Sequence, residues 1–253
     1  MGRKYRNAPL EEVFCEFRFK PSDRWDLAVP GLIYGELGPD KYPNREQVRL
    51  PVSARVSAGP EVVSYEARLV DRVKFLTEDR RTVVQLGSDL LSVHRLKPYE
   101  SWECFKPTIK EAFDAYLKPV VPEGLIGLRL RYIDQFEIHG GIQNLRQYLN
   151  FGLFAGEELS KCERFSAFIV GGQSAHEGDR DILRMELVTT SSDKVESLGL
   201  ALDTQYILNR PHEVGLHIDK IMQWLDVAHD NVNRAFEACL TDELRALLGE
   251  VKE

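Results

Sequence analysis

The chain has 253 residues, 43% hydrophobic and 29% charged, a balance that excludes a disordered or fibrous polypeptide. Its 33 Lys and Arg stand against 40 Asp and Glu, a net charge of −7, which argues against general nucleic-acid binding because such binders present a net basic face. No apolar run approaches the roughly 20 residues that span a bilayer, and the basic start has no apolar core behind it. Neither a membrane span nor a signal peptide is expected, and the chain reads as cytoplasmic.

In chain order, residues 12–20 alternate. Val13, Cys15, Phe17 and Phe19 fall on one face, and Glu12, Phe14, Glu16, Arg18 and Lys20 on the other. That is a half-buried strand. A short helix is expected over 30–37 with Pro30 in its first turn, then a loop over 38–44. Strands are predicted at 50–57, 62–70, 72–77, 81–87 and 90–96. Turn signals such as Glu78-Asp79-Arg80 and Gly87-Ser88-Asp89 separate them. Connections this short make antiparallel neighbours. Trp102, Phe105, Ile109, Phe113 and Tyr116 recur at spacings of three and four, which predicts an amphipathic helix over 101–118. Ser101 caps it, and Pro119 and Pro122 close it.

The same order then begins again. Ile126, Leu128, Leu130, Tyr132, Phe136 and Ile138 share one strand face, Gly140-Gly141 breaks it, and Ile142, Leu145 and Leu149 suggest a short helix. Strands are predicted at 163–172, 181–190 and 196–208, then one long helix over 213–248. Its seam is Ile218, Met222, Leu225, His229, Val232, Phe236 and Cys239. The seam is expected to pack on the protein's own sheet, since a sheet with one apolar face needs a cover. The expected fold is α+β: an antiparallel sheet covered by two long helices, 101–118 and 213–248. The order suggests two β-α-β(4)-α repeats of the TATA-binding-protein-like or helix-grip plan, 1–122 and 123–253. One continuous domain is the alternative.

Chemistry-bearing motifs are sparse. Cys15, Cys104, Cys162 and Cys239 are far apart with no C-x-x-C, so reduced, mostly buried thiols are expected. His212 and His217 are five apart, which does not match helical zinc ligands, and no metal or cofactor is predicted. Gly172-Gln173-Ser174-Ala175-His176 approaches a nucleophile elbow, but His176 fills the place of its last glycine. It reads as a hairpin. No nucleotide-binding glycine motif is present. No segment supplies a nucleophile with its base, so no catalytic centre is expected.

Several stretches together resemble a family of bacterial proteins of this length, scattered across genomes, the TIGR04255 family. They are Asn7-Ala8-Pro9-Leu10-Glu11-Glu12-Val13, Tyr99-Glu100-Ser101-Trp102-Glu103-Cys104-Phe105, Leu130-Arg131-Tyr132-Ile133-Asp134, Leu200-Ala201-Leu202-Asp203 and Trp224-Leu225-Asp226-Val227-Ala228-His229. The family more often has Asn at the place of Asp134. The resemblance implies a family label and no established activity.

Two functional expectations follow. The first is a non-catalytic, protein-binding subunit, an antitoxin-like or scaffold component of a bacterial defence or toxin–antitoxin module. It would use the open sheet face through Arg18, Arg129, Arg131 and Arg184 on a protein partner, one of basic charge by complementarity. The alternative is a small-ligand pocket between long helix and sheet, with Arg131, Asp134 and His229 converging on it. Asp134 falls on the apolar side of its strand and is expected to be paired there. His229, inside the apolar seam, is expected to be a hydrogen-bonded core histidine.

Overall fold

The computed structural model describes residues 3–58, 63–153, 167–192 and 196–251. Nine strands form one antiparallel sheet. They are β2 (Leu10–Phe19), β3 (Asn44–Ala58), β4 (Val63–Leu76), β5 (Thr82–Gly87), β6 (Leu90–Leu96), β7 (Leu125–His139), β8 (Ile169–His176), β9 (Asp181–Thr190) and β10 (Ser197–Leu208). The order across the sheet is β3-β4-β5-β6-β2-β7-β10-β9-β8. β2 and β7 pair at its centre, with Cys15 opposite Leu130 and Val13 opposite Tyr132. On each side of that pair a meander returns its last strand, β6 or β10, against the first strand of its own half. A small separate ribbon joins β1 (Lys4–Tyr5) to β11 (Glu250–Val251) and ties the two ends of the described chain together.

Among the described residues the α-helices are α1 (Val29–Leu37), α2 (Trp102–Val120), α3 (Leu145–Tyr148), α4 (Ile218–Cys239) and α5 (Asp242–Leu248). α2 packs on α1 and β6, and α4 on β7 and β10. One core cluster joins the inward residues of β2, Val13, Cys15, Phe17 and Phe19, to Phe105, Ile109 and Phe113 of α2 and to Trp224, Leu225 and Val232 of α4. Every one of these β2 residues is fully buried, as strict period-two alternation requires of a sheet apolar on one face. A second cluster gathers Phe136, Leu187, Leu200 and Leu202 under Cys239, Leu244 and Leu248.

Several boundaries differ from expectation: β3 begins at Asn44 and not at 50, and α2 runs through Pro119 to Val120. The strands predicted at 62–70 and 72–77 are one strand, β4 from Val63, because Val70-Asp71-Arg72 contains no Gly or Pro to break it; residue 62 lies outside the described residues. The predicted strand at 163–172 appears as β8, which runs on to His176 before turning at 177–180; its residues 163–166 lie outside the described residues, as does Cys162. The helix over 213–248 is broken at both ends. Gly215 at φ +63° stops the chain from running helically out of the turn at 211–213, so α4 starts at Ile218. After Cys239, Leu240 is extended and bridges Leu149. Thr241 then caps α5, accepting from the Leu244 N–H at 3.4 Å and donating to the Gln147 carbonyl at 2.7 Å. The buried stripe of α4 is Ile221, Trp224, Leu225, Ala228, Val232, Ala235 and Cys239, rotated from the predicted seam.

Candidate functional site

The strand register puts the four predicted arginines on one face of the sheet, opposite the side on which α2 and α4 pack. Arg18 on β2, Arg129 and Arg131 on β7 and Arg184 on β9 all point there, since each alternates with core residues of its own strand. β10 intervenes between β7 and β9, so Arg131 does not face the strand of Arg184. It meets Asp203 of β10 in a two-pronged pair at 2.8 and 2.6 Å, and Gln205 donates to the same carboxylate at 3.1 Å. Arg129 donates to Glu16 at 3.1 Å, Arg18 to Glu16 at 3.1 Å, and Arg184 lies 3.7 Å from Glu186.

At the centre of this face lies Phe14, only 6% exposed although it sits on the face away from the helices. His94 stacks on its ring at 4.8 Å. The guanidinium carbons of Arg129 and Arg131 lie 5.5 and 5.3 Å from the ring centroid. His94 is held in turn by Glu12 at 2.6 Å and Ser92 at 2.9 Å. The His94 hydrogen bond pulls the Glu12 carboxyl below its usual range. Arg129 Nε is buried with no hydrogen-bond partner. Sequence reasoning missed Phe14 and His94 because β2 and β6 meet only through the tertiary pairing; Phe14 among charged neighbours was the one visible signal.

Asp134 and His229 lie on the other, helix-facing side. Arg131 is therefore separated from them by the sheet, and the three do not converge on one pocket. His229 stacks flat on Trp102, with ring centroids 4.5 Å apart and planes 5° apart, and so joins α4 to α2. Its Nδ1 shares a hydrogen bond with Tyr132 Oη at 2.7 Å, and its Nε2 lies 3.0 Å from the Asn233 amide. Burial lowers its pKa, partly offset by Asp230, Glu103 and Asp226. Trp102 Nε1 donates to Asp226 at 3.0 Å, and Lys106 donates to the same carboxylate at 2.6 Å. The Tyr99 and Tyr132 phenols perturb each other, although Tyr99 Oη makes no hydrogen bond of regular geometry.

The expectation of a paired Asp134 is not met. The residue is 5% exposed and has no ion pair or side-chain hydrogen bond among the described residues. Its strand neighbours are Leu10 and Leu202. Burial, with a smaller push from Glu11, raises its pKa to about 8, so the carboxyl is neutral at pH 7. Asp181, which the sequence reasoning passed over, is handled in the opposite way. It is fully buried and receives Trp224 Nε1 at 2.8 Å, Arg180 Nη2 at 2.6 Å and Tyr206 Oη at 3.3 Å. The two aspartates look alike in sequence, each on the apolar side of a strand, and only the tertiary neighbours distinguish them.

No family model matches the chain, and no curated protein matches it. Among solved structures, the di-domain ARO/CYC StfQ from the steffimycin biosynthetic pathway is similar at 9% identity. The alignment covers 89% of this chain and 97% of that one, with a TM-score of 0.19. A TM-score that low supports neither a shared fold nor a shared activity. No helix among the described residues is long and apolar enough to cross a membrane.

Proposed function

We propose that the chain is a non-catalytic binding protein that receives a protein partner on the open face of its central strands. One observation carries the reading: Phe14, His94, Arg129 and Arg131 form a pre-organised aromatic and guanidinium cluster at the middle of that face. Arginine and aromatic side chains dominate interface hot spots. Ion pairs to Glu16 and Asp203 hold both guanidinium groups in place, which lowers the ordering cost of a contact. The cations Arg18, Arg129, Arg131 and Arg184 alternate with the anions Glu12, Glu16, Asp203 and Glu186, so recognition on this face works through local pairs. The net charge of −7 acts at longer range and favours the approach of a basic partner. The proposed partner is a toxin or effector that this chain neutralises or scaffolds, by analogy with mobile modules whose genes are likewise scattered. The two halves are proposed to be repeats of one strand–helix–meander–helix plan; the mirrored strand order about β2 and β7 supports this.

The test is a tagged pull-down from the native host with the wild type and with Arg129→Ala/Arg131→Ala. In the variant Glu16 keeps Arg18 and Asp203 keeps Gln205, so the fold survives. The wild type should co-purify one protein at fixed stoichiometry and the variant should lose it, with an unchanged far-UV circular dichroism spectrum. A partner retained by the variant, or a wild type that purifies alone as a monomer, ends this reading.

A further inference from the structure

A pocket of about 210 Å³ opens between the start of α2 and the ends of β4 to β6, on the helix side of the sheet and so on the opposite face from the Phe14 cluster. Its cationic wall is Arg95 and Lys41, its hydroxyl wall Thr77, Thr82, Ser101 and Thr108, and its apolar wall Tyr99, with the buried Phe105 ring standing at 75° behind it. Arg95 is the fixed point. Thr82, its cross-strand neighbour, accepts from Nη1 at 2.6 Å and so orients the guanidinium. Nη2 donates to Glu100 at 2.7 Å. Among the described residues the remaining three guanidinium N–H groups have no partner, on a side chain only 19% exposed.

Glu100 is 61% exposed and sits five residues beyond Arg95 at the rim. Its carboxylate occupies the place that a ligand carboxylate would take. Such an exposed ion pair holds weakly, because water competes for both partners and the side chain gives up rotamer freedom. Lys41 is similarly engaged with exposed Glu111. With Lys41 paired to Glu111, the cation that faces the cavity with unused donors is Arg95. The volume is that of about seven liquid waters, which suits a compact molecule of about seven to ten non-hydrogen atoms.

We propose that this pocket binds a small carboxylate with a flat apolar body, its carboxylate displacing Glu100 from Arg95 and its body lying against Tyr99. The site is independent of the open-face partner surface and can stand or fall without it. Cys104 lines the same pocket and is exposed, whereas Cys15 and Cys239 are buried, so its thiol reports occupancy directly.

The probe is benzoate, and the readout is the rate of Cys104 alkylation by iodoacetamide, located by peptide mass mapping at constant ionic strength. Benzoate should slow the modification of Cys104 by about fivefold or more at saturation, in the millimolar range typical of a ligand with about nine non-hydrogen atoms. Glu100→Gln removes the internal competitor and should lower the half-protecting concentration about twofold to fivefold. Arg95→Gln should raise it tenfold or more through loss of the charge-assisted hydrogen bonds. Arg95→Lys, which keeps the charge but not the fork, should fall between the two. The proposal is overturned by absence of protection in Glu100→Gln, by equal protection in folded Arg95→Gln, or by protection with inorganic phosphate and none with benzoate.

Discussion

Replacing Asp134 by Asn should stabilise the protein, by an amount that depends on pH in one direction. The folded carboxyl has a pKa of about 8, while an unfolded aspartate titrates near 3.9. The sign follows from which state holds the proton. Between those two values the folded chain keeps it and the unfolded chain releases it, so unfolding gains from ionisation and stability falls as pH rises. Each unit of pH in that window costs about 1.4 kcal/mol, and the roughly three units between 3.9 and 7 amount to about 4 kcal/mol at pH 7. The amide of the Asp134→Asn variant does not ionise in either state and escapes this loss. Glu11 contributes the smaller part of the shift, so Glu11→Gln should recover only a fraction of the gain. Urea denaturation of wild type and Asp134→Asn at pH 4.5, 6, 7 and 8.5 tests the argument, with the difference between the two proteins removing the effects of other carboxylates. The ionisation part of the difference should be about 1 kcal/mol at pH 4.5 and rise to about 5 kcal/mol at pH 8.5. A difference that is flat with pH would refute the reasoning, because it would mean that Asp134 ionises alike in both states.

Other substitutions probe the remaining polar contacts. Asp181→Ala should cost about 3–5 kcal/mol by stranding Tyr206 and Trp224 in the core and releasing the half-buried Arg180, and an unchanged melting temperature would contradict the network. His229→Phe keeps a ring against Trp102 but orphans Tyr132 Oη, a loss of about 1–3 kcal/mol at pH 8. Burial lowers the folded pKa of His229, so the unfolded chain takes up the proton first, and stability present above pH ~6.5 is lost as pH falls. The Phe variant should lack that part of the acid slope, and denaturation curves at pH 5 and pH 8 check it. At Gly87 a Cβ would lie 1.9 Å from Arg72 Nη1, whose side chain is 5% exposed and pairs with Asp89 at 3.0 Å. Gly87→Ala should therefore cost about 1–3 kcal/mol, and Asp89→Asn should add little once that pair is broken, which a double-mutant cycle measures.

The inward face of β2, the start of α2 at its Ser101 cap, and the turns between β4, β5 and β6 were legible in the sequence, because each depends on local periodicity, a local cap or a turn signal; the single strand β4, read as two, and the end of α2 beyond Pro119 were not. So was the placement of Arg18, Arg129, Arg131 and Arg184 on a polar face, since strand alternation alone assigns sides. The break between α4 and α5 was half legible: Thr241-Asp242-Glu243 is an N-terminal helix signal, hidden by an apolar spacing that runs through it. The order of strands was decided elsewhere. Pairing β2 with β7 joins residues more than a hundred positions apart, and no local pattern encodes that partner. The strand order as a whole put Arg131 beside Asp203 of β10, placed β10 between Arg131 and Arg184, and enclosed Phe14 between His94 of β6 and two guanidinium groups of β7. It also fixed the fates of two similar aspartates. Asp181 came to rest against three donors and Asp134 against none, and the free energy of a buried carboxyl depends on those neighbours, which sequence spacing does not specify.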